Sequence, residues 1–258
     1  MQFALVAGGS KGIGYAIAEA LAKRNYNLLL VGRHSGALIA AKKSLELLYK
    51  IEVKIIEIDL GLPGSAEEIA ARCRQEQLPL KMLCNVAGLG GKMDYLSLPL
   101  GDLRYMVSLN VSGQMALCLS LLPLLEKNAP SYILNVASMA GFSPIPEKNM
   151  YSATKAAVIF FSYSLRYQLK GKKISVSCLC PGPVFTKPEI REDTIEKLGW
   201  FGELMAVDPG EVGEVAVRNT LKEKMIIVPG LLSKIMSVVL RLLPRRVITY
   251  FYFRSGKK

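Results

Sequence analysis

Short apolar runs of strand length take turns with helix-length segments along most of this chain. The runs are Phe3–Ala7, Leu28–Gly32, Val53–Ile58, Lys81–Asn85, Tyr132–Ala137 and Ile174–Cys180, with a shorter last one at Met225–Val228. Between them, segments such as Ile13–Arg24, Ala37–Tyr49, Ser65–Gln75 and Leu100–Leu125 carry helical patterns. Strands separated by helices pair in parallel, because the crossover brings the chain back to the same end of the sheet. Parallel strands are covered on both faces, which is why they read as continuous apolar runs. The pattern predicts an α/β fold: a doubly wound, seven-stranded parallel sheet with helices on both faces. No repeat, low-complexity linker or composition break divides the 258 residues, so one domain is expected over 1–229. Two parts fall outside the alternation: a loop at 187–209 and a tail at 230–258.

Composition narrows the function classes. Hydrophobic residues make up 51% and charged residues 21%, a globular balance. Five cysteines in apolar surroundings, with no CxxC pair, fit buried reduced thiols in a cytoplasmic protein and not a disulfide framework. With one histidine, His34, and scattered cysteines, no metal site is expected; His34 reads as a surface side chain. Met1 leads almost directly into "FALVAGGS", which does not resemble a secretory signal. The net charge of +12 is spread along the chain without a nucleic-acid motif, so no nucleic-acid partner is expected. An acidic cofactor, an acidic substrate or an anionic membrane surface fits the charge equally well.

The first strand ends in "AGGSKGIG", placing Gly8, Gly12 and Gly14 where the chain turns into a helix. Glycines let the backbone turn tightly and approach a pyrophosphate, which then rests on the positive end of that helix. The strand–loop–helix context makes this a Rossmann-type nucleotide site. The end of the second strand selects the nucleotide. An acid there bonds the 2′-hydroxyl of NAD, whereas an Arg accommodates the 2′-phosphate of NADP. This chain has Arg33 and no acid, with Lys11 in the glycine loop as a second cation, so NADP(H) is the expected cofactor.

"MYSATK" sets Tyr151 and Lys155 four apart, on one face of a helix. By themselves they are either a half-exposed pair or a phenol whose pKa an ammonium lowers toward neutrality. Company decides between these. The glycine loop, Asn85-Val86-Ala87-Gly88 after the fourth strand, Ser138 after the fifth, Tyr151-x-x-x-Lys155 and "PGPVFT" (Pro181–Thr186) after the sixth occur in the order of the short-chain dehydrogenase/reductase family. The chain resembles that family from residue 3 to about 228. The resemblance implies ketone–alcohol interconversion by a nicotinamide cofactor. In it, Tyr151 is the general acid that protonates the carbonyl oxygen. Lys155 depresses the Tyr pKa and holds the nicotinamide ribose, Ser138 hydrogen-bonds the substrate oxygen, and Asn110 anchors a proton-relaying water chain. A phenol near its ordinary pKa of ~10 is a sluggish acid at neutral pH, so a nearby cation suits the task. Ser138 is no hydrolase nucleophile, since Val136 and not Gly stands two residues before it.

The same resemblance assigns cofactor contacts to Ser10 and Ile13 in the glycine loop and to Asp59 and Leu60 at the adenine. It adds Asn85, Ala87 and Gly88 after the fourth strand, and Pro181, Gly182, Val184 and Thr186 after the sixth, with Thr186 at the carboxamide. Two positions depart from the family pattern. Ala7 replaces the usual Thr and Val86 the usual second Asn, losing side-chain bonds between strand tips.

The 187–209 segment matches the family's variable substrate loop, and Trp200, Phe201, Leu204 and Met205, with Phe142 and Phe185, suggest an apolar lining. A 3-oxoacyl or other lipid-like ketone is the leading expectation. A 3-ketosphinganine, steroid or small-carbonyl reductase, or a non-catalytic NADP-binding sensor, are the alternatives. In the tail, Leu231, Ile235, Val238, Val239 and Leu242 form one helical stripe opposite Ser233, Lys234, Ser237 and Arg241. That stripe fits peripheral membrane contact or packing on protein. Family members pair through the helices carrying Asn110 and Tyr151, so a homodimer or homotetramer is expected.

Overall fold

The computed structural model describes residues 2–90, 95–186 and 202–255. Seven strands build one parallel sheet: β1 (Phe3–Ala7), β2 (Asn27–Gly32), β3 (Val53–Glu57), β4 (Leu80–Asn85), β5 (Ser131–Val136), β6 (Ile174–Leu179) and β7 (Ile226–Ile227). Their order across the sheet is β3-β2-β1-β4-β5-β6-β7. β1 and β6 are buried at every residue, as strands covered on both faces must be. Each of the seven apolar runs becomes one strand, with boundaries moved by a residue or two.

The helices are α1 (Gly12–Ala22), α2 (Ser35–Tyr49), α3 (Ser65–Gln75), α4 (Leu100–Val107), α5 (Gly113–Lys127), α6 (Asn149–Gln168), α7 (Pro209–Leu221), α8 (Leu231–Leu242) and α9 (Arg245–Ser255). They form two layers. On one face, Ile17, Leu21, Leu38 and Val217 pack on Val6, Leu28 and Leu30; on the other, Ile69, Leu117, Leu121 and Leu125 pack on Leu5, Leu83 and Ile133. Gly213 lets α7 lie directly on α1, since a Cβ there would come within 2.3 Å of the Ala16 carbonyl oxygen.

Two features differ from a plain reading of the pattern. The long helix expected over Leu100–Leu125 is interrupted by a π-helical turn, Ser108–Ser112, that joins α4 to α5. Taken together, Leu100–Lys127 is long and apolar enough to cross a membrane, but α5 buries Leu117, Leu121 and Leu125 against the sheet as a core helix does. The second feature is α8. It turns Ser233 and Ser237 toward the domain and leaves its apolar stripe exposed.

The sheet order reverses between β1 and β4, at the point where β1 stops being followed by its neighbour on one side and continues on the other. Crevices at such switch points, beyond the carboxyl ends of the strands, are where open α/β sheets bind ligands.

Candidate active site

The switch point is built from backbone. The Ala87 N–H donates to the Ala7 carbonyl at 2.7 Å, the Val86 N–H to the same oxygen at 3.0 Å, and the Gly8 N–H to Val31 at 2.7 Å. These bonds join the tips of β1, β2 and β4 without the side chains that Ala7 and Val86 lack. Gly8 takes φ +87° and Gly12 φ +57°, conformations that side chains rarely adopt. A Cβ on Gly14 would stand 1.9 Å from the Gly8 oxygen, so only glycine lets α1 begin there. The result is a turn whose backbone can meet a pyrophosphate closely, with the N-terminus of α1 behind it.

The four residues singled out as catalytic meet beyond β4 and β5. Ser138 leaves β5 in an extended conformation and its Oγ accepts from the Ala140 N–H at 3.1 Å, capping a short 3₁₀ turn, Met139–Phe142. α6 then presents Tyr151 and Lys155 on one face, with the Ser138 hydroxyl close enough to the Tyr151 phenol to lower its pKa. The Lys155 Nζ donates to the Val136 carbonyl at 3.0 Å and stands 5.8 Å from the Tyr151 ring centre. Asn110 sits in the π turn, a departure from α-helix of the kind often found at functional sites. Its Oδ1 accepts from Leu89 N–H at 2.7 Å, and its Nδ2 donates to the Leu89 carbonyl at 2.8 Å and to Thr154 Oγ1 at 3.1 Å. The Ala87–Gly90 segment passes over this group. A Cβ at Gly88 would lie 3.3 Å from Lys155 Nζ, and one at Gly90 3.2 Å from the Tyr151 ring.

Burial sets the protonation of these groups. It raises the Tyr151 phenol above its ordinary value, and the nearby Ser138 hydroxyl pulls it back down. Lys155 is fully buried with one carbonyl partner, and desolvation of the ammonium lowers it to about 8. The lowering of Tyr151 expected from Lys155 is therefore not the leading effect here; the Ser138 hydroxyl supplies it.

Comparison with known proteins follows the same lines. A family model described as short chain dehydrogenase matches residues 2–196. The chain is a member of the short-chain dehydrogenase family. Its relatives include a very-long-chain 3-oxoacyl-CoA reductase of Danio rerio, 33% identical over 205 residues that cover 76% of this chain. The match covers only 62% of that protein's length. Among solved structures, an NADP complex from Pseudomonas aeruginosa is 26% identical, with a TM-score of 0.77, covering 88% of this chain and 94% of the other. A short-chain dehydrogenase of Sphingobium yanoikuyae in complex with NADPH shares the fold at 23% identity and a TM-score of 0.79, covering 95% of this chain and 97% of that one.

For this short-chain dehydrogenase, the remaining assigned positions divide by what they can offer a nicotinamide cofactor. Arg33 is exposed at the end of β2, its Nη1 3.7 Å from Asp59 Oδ2. Lys11 is exposed in the glycine loop beside half-buried Ser10 and Ile13. Leu60 and Val184 bury their side chains in the two cores, which leaves their backbone for a ligand. Asn85 is also turned inward, its Nδ2 donating to Asn135 Oδ1 at 2.9 Å. Beyond β6, the Pro181 carbonyl accepts from Met139 N–H at 3.0 Å, Gly182 packs on Met139, and Thr186 approaches Gly12. Leu204 is exposed and Met205 buried, whereas Trp200 and Phe201 lie outside the described residues. His34 is exposed and all five cysteines are free and buried, with Cys178 and Cys180 Sγ 3.8 Å apart.

Sequence reasoning missed two partners. Thr154 ties Asn110 to α6 while donating to the Tyr151 carbonyl at 2.8 Å. Tyr105 bridges Arg33 and Asp59: its hydroxyl donates to Asp59 at 2.9 Å and accepts from Arg33 Nη1 at 2.5 Å. A Tyr in the middle of α4 carries no local signal of this. It meets Arg33, 72 residues away in sequence, only through the tertiary fold.

Proposed function

We propose that this short-chain dehydrogenase reduces a ketone to a secondary alcohol with NADPH, acting on a 3-oxoacyl or other lipid-like substrate. One observation carries the reading: Ser138, Tyr151, Lys155 and Asn110 converge beyond β4 and β5, beside the glycine turn at the sheet's switch point. The dinucleotide would supply the hydride. The residues fit it: the cradle at Gly8 and Gly14 excludes side chains, and Arg33 offers an exposed guanidinium at the 2′-phosphate position with no acid in its place.

Within that frame the protein's own groups divide the work. Ser138 and the Tyr151 hydroxyl hold the carbonyl oxygen, and Tyr151 donates a proton to it as the C–O bond becomes an alkoxide. Its raised pKa keeps it protonated at neutral pH, which suits reduction. Lys155 beneath the ring favours the phenolate left after transfer and is placed to bond the nicotinamide ribose. Asn110, with Leu89, holds the backbone that a water relay needs. The relatives named as very-long-chain 3-oxoacyl-CoA reductases support an acyl substrate, as do the apolar Phe142 and Met205 near the site. The enzyme is read as cytoplasmic. Exposed Leu119 on α5 and Phe160 and Tyr167 on α6 support pairing of these helices between subunits of a dimer or tetramer.

The test follows NADPH oxidation with 3-oxoacyl thioesters of rising chain length, with NADH in parallel and Tyr151→Phe as the blank. Turnover that grows with chain length, prefers NADPH and is lost in the variant is the expected result. Equal rates in Tyr151→Phe, or a preference for NADH, would overturn it.

A further inference from the structure

A helix of a globular domain normally hides its apolar stripe and shows its polar side to water. α8 packs Leu232, Met236 and Leu240 on the domain beside two serines, yet leaves its main apolar stripe in the open. Ser233 and Ser237 are 1% and 2% exposed, while Leu231, Ile235, Val238 and Leu242 are 76%, 54%, 48% and 79% exposed. The orientation is built in, because the inward face fits the domain closely at its serines. Ser233 Oγ bonds the Met205 carbonyl at 3.4 Å and occupies the space that a Cβ on Gly182 would need. Ser237 Oγ donates to the Lys234 carbonyl at 2.7 Å, which satisfies it within its own helix.

α9 continues the same surface. It is anchored by buried Ile248 and by the Pro146–Lys148 turn, and it shows Val247, Tyr250 and Phe251 to the outside. Between α9 and Pro146 runs a shallow apolar groove of about 490 Å³ edged by Arg245 and Arg246. The charge carried by the tail itself has one sign. Residues 230–258 contain seven Lys or Arg and no Asp or Glu. On α8, Lys234 and Arg241 lie along one border of the exposed stripe, between it and the serine seam.

We propose that the outer face of α8 and α9 docks flat on an anionic phospholipid bilayer, with the apolar side chains at the acyl boundary and the Lys and Arg residues at the headgroups. An apolar face bordered by cations and aromatic rings is the pattern of helices that lie in the membrane interface. A second copy of the chain is the less suited occupant, since a two-fold interface would set the Lys and Arg residues of α8 and α9 against one another. Two helices of twelve and eleven residues reach about 18 Å and 17 Å, so they lie on a bilayer and do not cross it. Because α9 packs on the turn just before Tyr151, docking would hold that turn at the membrane. The proposal does not depend on what the enzyme reduces.

The test is sedimentation of the full chain with large vesicles of phosphatidylcholine alone or with one third phosphatidylglycerol, in low salt and in 0.5 M NaCl. The variant Val238→Asp/Leu242→Asp is run beside the wild type. These side chains point outward, so NADPH binding and Tm should be unchanged and report its folding. Binding at least tenfold stronger to the anionic vesicles, and weakened tenfold or more by salt and by the variant, supports the proposal. No wild-type binding to anionic vesicles overturns it. So does a variant that binds vesicles as the wild type does, or one whose only change is dissociation of an oligomer in light scattering. If the variant misfolds, the lipid-charge and salt dependence of the wild-type chain decides alone.

Discussion

Asn110 and Leu89 are bonded to each other in both directions, Oδ1 accepting from the Leu89 N–H at 2.7 Å and Nδ2 donating to the Leu89 carbonyl at 2.8 Å. The pair fastens the segment that covers Tyr151 to the π turn between α4 and α5. Asn110→Leu keeps the side-chain volume but strips Leu89 of both partners and Thr154 of its donor. Such buried losses cost about 1–3 kcal/mol, which lowers Tm by roughly 3–10 °C in a chain of this size. Thermal unfolding of the variant checks this, and a Tm within a degree of wild type would contradict it.

Lys155 carries a pH signature. Its folded value of about 8 lies below the ordinary 10.5 because burial disfavours the ammonium. Between these two values the unfolded chain holds the extra proton, so stability rises with pH across that window. Lys155→Met removes the buried charge and should raise Tm at pH 7, with the advantage shrinking as the pH approaches 10. In the wild type, kcat/KM for NADPH, which reports the free enzyme, should fall above pH about 8 as Lys155 loses its proton. A profile flat to pH 9.5 would refute the assignment.

Arg33, Tyr105 and Asp59 make a hydrogen-bonded triad at the position proposed for the 2′-phosphate. Arg33→Ala should raise KM for NADPH about tenfold or more, the size of a lost charged hydrogen bond, and leave KM for NADH within about twofold. Tyr105→Phe keeps the ring against the guanidinium, 5.6 Å from ring centre to Cζ, but deletes the hydroxyl bridge. Its expected effect is a smaller rise in the same direction, about three- to tenfold. Steady-state kinetics with both cofactors separates the two variants.

Glycines at close contacts should differ sharply from a glycine in open space. Gly213→Ala drives a Cβ toward the Ala16 carbonyl and pushes α7 off α1, at about 1–3 kcal/mol or more. At Gly36, in the first turn of α2, a Cβ meets nothing within 4 Å. Gly36→Ala should therefore be neutral or stabilising by up to about 1 kcal/mol. Urea unfolding of both variants tests the contrast.

What the sequence by itself determined is what spacing and periodicity encode. Continuous apolar runs named the seven strands, the glycines named the turn after β1, and Tyr151-x-x-x-Lys155 named a shared helical face. These are local relations, and local geometry is nearly the same in every chain that adopts it. Tertiary structure decided what depends on which elements become neighbours. The strand order β3-β2-β1-β4 brings Tyr105 to Arg33 across 72 residues, and the crossover above β4 brings Leu89 to Asn110. Burial, which only the assembled layers create, brought the Lys155 ammonium down to about 8. The stripe on α8 was legible, but its direction was not. Amphipathicity marks two sides of a helix, and the tight fit of Ser233 to Gly182 and Met205 set which side faced the domain.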